Sequence, residues 1–290
     1  MSTGFHYLET LNQSLSLQWL KKSEAPIVLG KITAAKSFTG IIVFALIYIM
    51  MKFYTIEYKY VYMVFGGVTF LAGVFAWALF KHFDDTVVQD KKIRLKKEYW
   101  LFYMLTFLSG ARRQIFVVFA GFLLVEKFGL DIHNMVALLL FNSTINIYLA
   151  PKIGRFIAKH GERLTLRVEY IGLLVVFTSY AFVESVYFAA ALYVVDHLLF
   201  SMAIALKTYF QKIADPKDIA SASAVSFTIN HIAAVVLPVV LGAVWLYSPS
   251  LVFIIGSSIV LCSFVLALLI PASPRQGYET ILAKEKESSK

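Results

Sequence analysis

The sequence predicts an all-α polytopic membrane protein with about eight transmembrane helices, and three observations carry that prediction. Of its 290 residues, 59% are apolar and only 16% charged, with a mean hydropathy of +0.72. A soluble surface takes roughly a quarter of residues as charge, so this chain lacks the means to build one. The apolar residues gather in eight runs of about the ~20 residues that cross a bilayer as a helix, about twice the length of a barrel strand. The basic residues, finally, sort to one side of those runs.

Taken in chain order, residues 1–30 are polar and mixed and form a cytoplasmic N-terminal segment. They hold no compact apolar stretch behind a basic end, so they do not read as a cleavable signal peptide. Two spans follow near residues 33–53 and 60–81, then a basic loop over 82–98. Six more fall near 99–126, 133–152, 167–184, 187–206, 219–247 and 249–271, ahead of a polar tail over 272–290. The domain pattern is therefore 1–30, a two-helix part over 31–81, the central loop 82–98, a six-helix part over 99–271, and the tail. Cys262, the single cysteine, lies in the last run, which excludes an intramolecular disulfide.

The 27 Lys and Arg residues test the topology, because the cytoplasmic flanks of short-loop membrane proteins carry the excess positive charge. On one side lie 22 of them, including the six from Lys81 to Lys97 and the five from Lys152 to Arg167; the other side has Lys52, Lys59 and Lys127. Arg112 and Arg113 fall within a span. Both termini are expected in the cytoplasm of a multi-pass cell-membrane protein. The net charge of +9 is accounted for by basic flanks facing anionic membrane lipid and calls for no nucleic-acid partner.

Between the fourth and fifth runs stands Pro151-Lys-Ile-Gly-Arg-Phe-Ile-Ala-Lys-His-Gly-Glu-Arg163. It resembles the signature loop of the major facilitator superfamily: Gly, three residues, Asp, a basic residue, any residue, Gly, then two basic residues. Gly154, Lys159, Gly161 and Arg163 match, while Ala158 replaces the acid and Glu162 the first closing basic residue. The resemblance places Lys97 to Pro271 on the family's seventh to twelfth helices, 31–81 on its fifth and sixth, and 1–30 on the tail of its fourth. It covers nearly all of this chain and about two thirds of the family's pattern, without the first four helices. What it implies is a secondary carrier of a small solute, built from inverted three-helix repeats. It also implies that a truncated form needs a partner chain or a further N-terminal segment to complete its pathway, or is a remnant that does not transport.

Chemistry is expected where polar groups lie inside spans, since a charge at mid-bilayer costs several kcal/mol unless it is paired or faces a wet cavity. Arg112 and Arg113 lie roughly 20 Å from the inner end of their span at ~1.5 Å per residue. Either could draw an anionic or carboxylated solute through paired hydrogen bonds, or be locked to Asp196 or to helix carbonyls. The preceding Ser109-Gly110-Ala111 would allow a break or close packing. Asp196 and His197 sit together near mid-depth, where they could carry a coupling proton or serve as structural partners. Asn142 and Asn146 share a helix face, as do Ser223, Ser226 and Asn230, with His231 beside them; such stripes either glue helices or line a cavity.

An enzymatic alternative rests on Asp84, Asp85 and Asp90, which could hold magnesium for a diphosphate substrate. No second acidic cluster accompanies them and no nucleophile, zinc or phosphate-loop motif occurs. The sequence therefore predicts no catalytic residues, no cofactor and no metal. Its candidate binding or coupling residues are Arg112, Arg113, Asn142, Asn146, Asp196, His197, Asn230 and His231.

Overall fold

Apart from an isolated bridge between Arg275 and Tyr278, the regular structure of the described residues is helical, as a backbone without water to bond requires. The structure, a computed structural model, describes residues 2–54, 57–79, 87–90, 92 and 94–283. Helices α1 (Ser2–Trp19), α2 (Ala25–Tyr54) and α3 (Tyr58–Leu79) come first. They are followed by α4 (Lys97–Lys127), α5 (Ile132–Ala181), α6 (Val186–Ile213), α7 (Pro216–Tyr247) and α8 (Pro249–Ala267). Seven of these, α2 to α8, are long and apolar enough to cross a membrane.

Helix α5 has 50 residues, which at ~1.5 Å per residue is more than twice a ~30 Å hydrocarbon core. Its continuity is broken at Gly161, with φ 82° and ψ 168°, a conformation that a Cβ makes costly and glycine adopts freely. Two arms result, 132–160 and 162–181, so the described residues hold eight passes. The arms run past the expected run ends at 152 and 167, so that Lys152, Arg155, Lys159, Arg163 and Arg167 lie on helix. Hydropathy marks the lipid boundary, not the helix boundary. The helix also continues through Pro151, beside the close contact of Ala150 with Gly30 of α2.

That packing depends on missing side chains. A Cβ on Gly30 would stand 2.6 Å from the Ala150 carbonyl oxygen, and one on Gly154 would overlap the Pro26 carbonyl oxygen. The second α5 arm closes in the same way on α6, where Gly172 faces Leu199, and on α8, where Gly256 faces Phe177. Small residues let membrane helices approach closely enough for dispersion to hold them. Aromatic side chains fill the interior between these helices. Phe116 packs against Tyr193 at 5.2 Å and Tyr180 at 5.7 Å between ring centres, and Tyr180 stacks on Phe253 at 5.0 Å.

The basic end is tied together by polar bonds. Lys212 Nζ reaches the buried Glu162 at 2.8 Å, and Gln211 Nε2 donates to the carbonyls of Leu17 and Leu20. Glu162, a departure from the signature loop, thus anchors α5 to α6. The described part of the central loop docks on the start of α7. Asp90 N donates to Lys217 O at 2.8 Å, Ser221 Oγ to Lys92 O at 2.9 Å, and Lys96 Nζ to Asp218 Oδ2 at 2.6 Å. The Asp218 carboxylate, through that hydrogen bond, holds the Lys96 ammonium above its ordinary pKa against the opposing pull of burial. At the other end, Lys127 Nζ donates to Val183 O at 2.6 Å and Trp245 Nε1 to Glu126 Oε2 at 3.0 Å. The α3 side chains lie largely outside this bundle: Phe70 is 70% and Trp77 83% exposed.

Candidate functional site

A cavity of about 520 Å³ opens between α4, α5, α6 and α7, with α1 and α2 closing one side. From α4 it is lined by Thr106, Ser109, Gly110, Arg113 and Gln114, and from the first α5 arm by Asn146. Helix α6 contributes His197, Phe200, Ser201 and Lys207, and α7 contributes Ser226, Asn230 and His231. Glu9 and Gln13 of α1 and Thr33 of α2 complete it. A smaller cavity of about 60 Å³ adjoins it through Glu9, Gln13 and Lys207 and is lined also by Lys36.

Neighbouring helix positions diverge by about 100°, which separates the two arginines. Arg112 turns away from the cavity, 2% exposed, and its Nη2 donates to Glu169 Oε1 of the second α5 arm and to Ser109 Oγ at 3.2 Å. Its guanidinium also sits 5.1 Å from the centre of the Tyr170 ring. Glu169 is fully buried. The expected pairing of an arginine with Asp196 is therefore corrected: the ion-pair partner is Glu169, whose carboxylate reaches the guanidinium directly. Asp196, 6% exposed, lies within electrostatic reach of Arg112 and Glu169, but its carboxylate makes no hydrogen bond among the described residues.

Arg113 takes the other direction and enters the cavity, its guanidinium 4.8 Å from the centre of the Phe200 ring. Among the described residues no carboxylate comes within ion-pair distance of it. Of the two arrangements that Ser109-Gly110-Ala111 would allow, a break or close packing, the structure has the second. The α-helix runs to Ile115 and loosens into π-helical turns over Phe116–Ala120 and Leu123–Lys127. Gly110 instead permits a close crossing, since a Cβ there would overlap the Asn230 side chain and stand 3.2 Å from its carbonyl oxygen.

Each polar stripe is divided between interior and cavity. Asn146 lines the cavity and its Oδ1 accepts from Ser201 Oγ at 2.7 Å, whereas Asn142 is 3% exposed in the packed interior. Ser226 and Asn230 face the cavity while Ser223 is buried at 1%. His197 and His231 both line it, each with Nδ1 3.0 Å from the carbonyl oxygen four residues earlier. A carbonyl only accepts, so Nδ1 is the donor in each contact.

Lys207 and Glu169 were not among the residues singled out from sequence. Lys207 stood near the inner end of its run and counted as a loop charge; Glu169 stood at the edge of its own run. Helical spacing offered a signal for Lys207, which follows His197 and Phe200 at ten and seven residues on one face of α6. The signature-loop residues stand apart from the cavity at the basic end. Gly154 serves the α2 contact and Gly161 the reversal, Lys159 is exposed, and Arg163 is half-buried. Asp84 and Asp85 lie outside the described residues, and Asp90 Oδ1 accepts from Lys92 N at 3.0 Å. Among the described residues no group of three or more His, Cys, Asp or Glu is placed to hold a metal ion.

The family model of the Major Facilitator Superfamily matches residues 4–238. No curated relative matches the sequence.

Proposed function

Since the chain belongs to the major facilitator superfamily, and is thereby a multi-pass membrane transporter of that type, we propose that it is a secondary carrier moving a small solute through the cavity between α4, α5, α6 and α7. Members of the superfamily are transporters rather than enzymes. The observation that carries the proposal is the cavity itself. Arg113, Asn146, His197, Asn230 and His231, drawn from four helices, converge on one space of about 520 Å³, and polar groups inside a membrane bundle are expensive unless they are paired or a wet cavity or a ligand solvates them. The basic end is the cytoplasmic one on the distribution of Lys and Arg. His197 is the cavity group suited to a coupling proton, with Asp196 beside it in sequence.

Filling the space should stop transport. Replacing Asn146 with Trp puts an indole where a side-chain amide lined the cavity, and solute accumulation by cells expressing the chain should fall to the background of cells without it. Amounts of folded protein in the membrane should be unchanged. Uptake by Asn146→Trp at the level of the native chain would refute the assignment.

A second reading, that the chain works only together with further helices from a partner, is favoured by α3, whose large apolar side chains are mostly exposed. Alternating access uses two repeats rocking about a central site. Uptake into liposomes by the purified chain, verified as monomeric, separates the two readings: robust uptake supports the first, and uptake that appears only in assemblies supports the second.

A further inference from the structure

We propose that the solute of this cavity is a small organic oxyanion, carrying a carboxylate or phosphate, which enters along a line of cations made by Lys36, Lys207 and Arg113; this rests on the cavity being the solute path. The three come from three helices, α2, α6 and α4. Lys207 lines both cavities, Arg113 the larger one and Lys36 the smaller. Lys207 is within electrostatic reach of both of the others, and Arg113 within reach of His197. Among the described residues none of the three forms an ion pair with a carboxylate. Glu9, the acid on this wall, lines both cavities and reaches Lys207 electrostatically but not within ion-pair distance.

All three side chains are exposed to this space and are not packed into the interior. Arg112, one residue away, is neutralised by a buried glutamate, so the fold is able to pair an arginine at this depth. Arg113 and Lys207 are left to repel each other across a cavity, an arrangement that a bound anion turns from unfavourable to favourable. Phe200 under the Arg113 guanidinium steadies the planar fork that grips an oxyanion through two hydrogen bonds. Ser201 donates to Asn146 Oδ1, leaving the Asn146 amide N–H groups as neutral donors to the same space. A cationic solute would meet like charge at three successive points.

The charge of the cavity can be read without knowing the solute. Cys262 is exposed and is first replaced by Ser; Asn146→Cys then places one thiol on the cavity wall. Its labelling is compared for two methanethiosulfonates of similar size, one bearing a sulfonate and one a trimethylammonium group. The sulfonate is expected to react at least about tenfold faster, within the range that a focused field gives. That preference should shrink toward unity in Arg113→Gln and in Lys207→Gln but persist in Lys152→Gln, an exposed lysine outside the cavity. Succinate and inorganic phosphate, added singly, distinguish the two sources of the oxyanion by which one slows labelling, with uncharged succinamide as the control. Equal or reversed rates for the two reagents, or protection by neither anion, would overturn the oxyanion inference while leaving the cavity as the path. A thiol reached by neither reagent would sink the path and the inference together.

Discussion

Glu169→Gln is expected to destabilise the folded chain severely, by about 3–5 kcal/mol, because it strands a guanidinium that is 2% exposed without its counter-charge. Glutamine keeps the shape and removes the charge, so packing loss cannot account for the effect. Arg112→Met should do comparable damage from the other side by leaving Glu169 buried and unpaired. The combined variant Arg112→Met with Glu169→Leu should recover much of the loss, since replacing both members of a buried pair with apolar groups is often close to neutral. Asp196→Asn should cost far less than either single change, because no hydrogen bond to the Asp196 carboxylate exists among the described residues. Thermal unfolding of the purified variants, followed by loss of monodisperse protein, measures all four. A double variant no better than the worse single one would reject the pair as the source of stability.

Gly154→Val is expected to separate α2 from α5. The added Cβ would overlap the Pro26 carbonyl oxygen and stand 3.1 Å from Ile27 Cα, and these are backbone atoms that cannot swing aside. Overpacking of this kind costs about 1–3 kcal/mol when neighbours adapt and more when they do not. The same interface is tight at Gly30 against Ala150, so the displacement has no slack nearby to absorb it. The expected result is a melting temperature lower by several degrees, at about 2–4 °C per kcal/mol for a large domain. A cysteine pair placed across the α2–α5 contact should also cross-link less readily. An unchanged melting temperature and cross-linking yield would mean that the signature glycine serves something other than packing.

The architecture was legible wherever it depends on lipid. Eight apolar runs and a lopsided distribution of Lys and Arg are direct consequences of a ~30 Å hydrocarbon layer, and the eight passes coincide with them once α5 is divided at Gly161. Helix ends were less legible, because a helix may continue into the basic region where hydropathy no longer marks it, as at Lys159 and Arg163. The two arginines could be singled out but not told apart: adjacency assigns them opposite faces, while tertiary packing alone decides which face meets Glu169 and which meets the cavity. Glu169 and Lys207 escaped notice for one reason. Each lies within a turn or two of the end of an apolar run, where charge is unremarkable in sequence, yet the tilt and stagger of neighbouring helices place one in the dry interior and the other on the cavity wall. Asn142 and Ser223 show the converse, polar residues in promising stripes that the packing turns inward.

The central claim, that one cavity passes a solute between the two sides of a membrane, is tested most directly by asking from which sides it is reached. In the Cys262→Ser background, single cysteines at Asn146, Lys159 and Ser185 are labelled with a membrane-impermeant reagent in sealed vesicles of each orientation. Lys159→Cys at the basic end should react from the cytoplasmic side alone and Ser185→Cys from the opposite side alone. Asn146→Cys should react from both, because the cavity opens to each in turn. Reaction of Asn146→Cys from one side only, with both controls behaving as stated, would contradict the account.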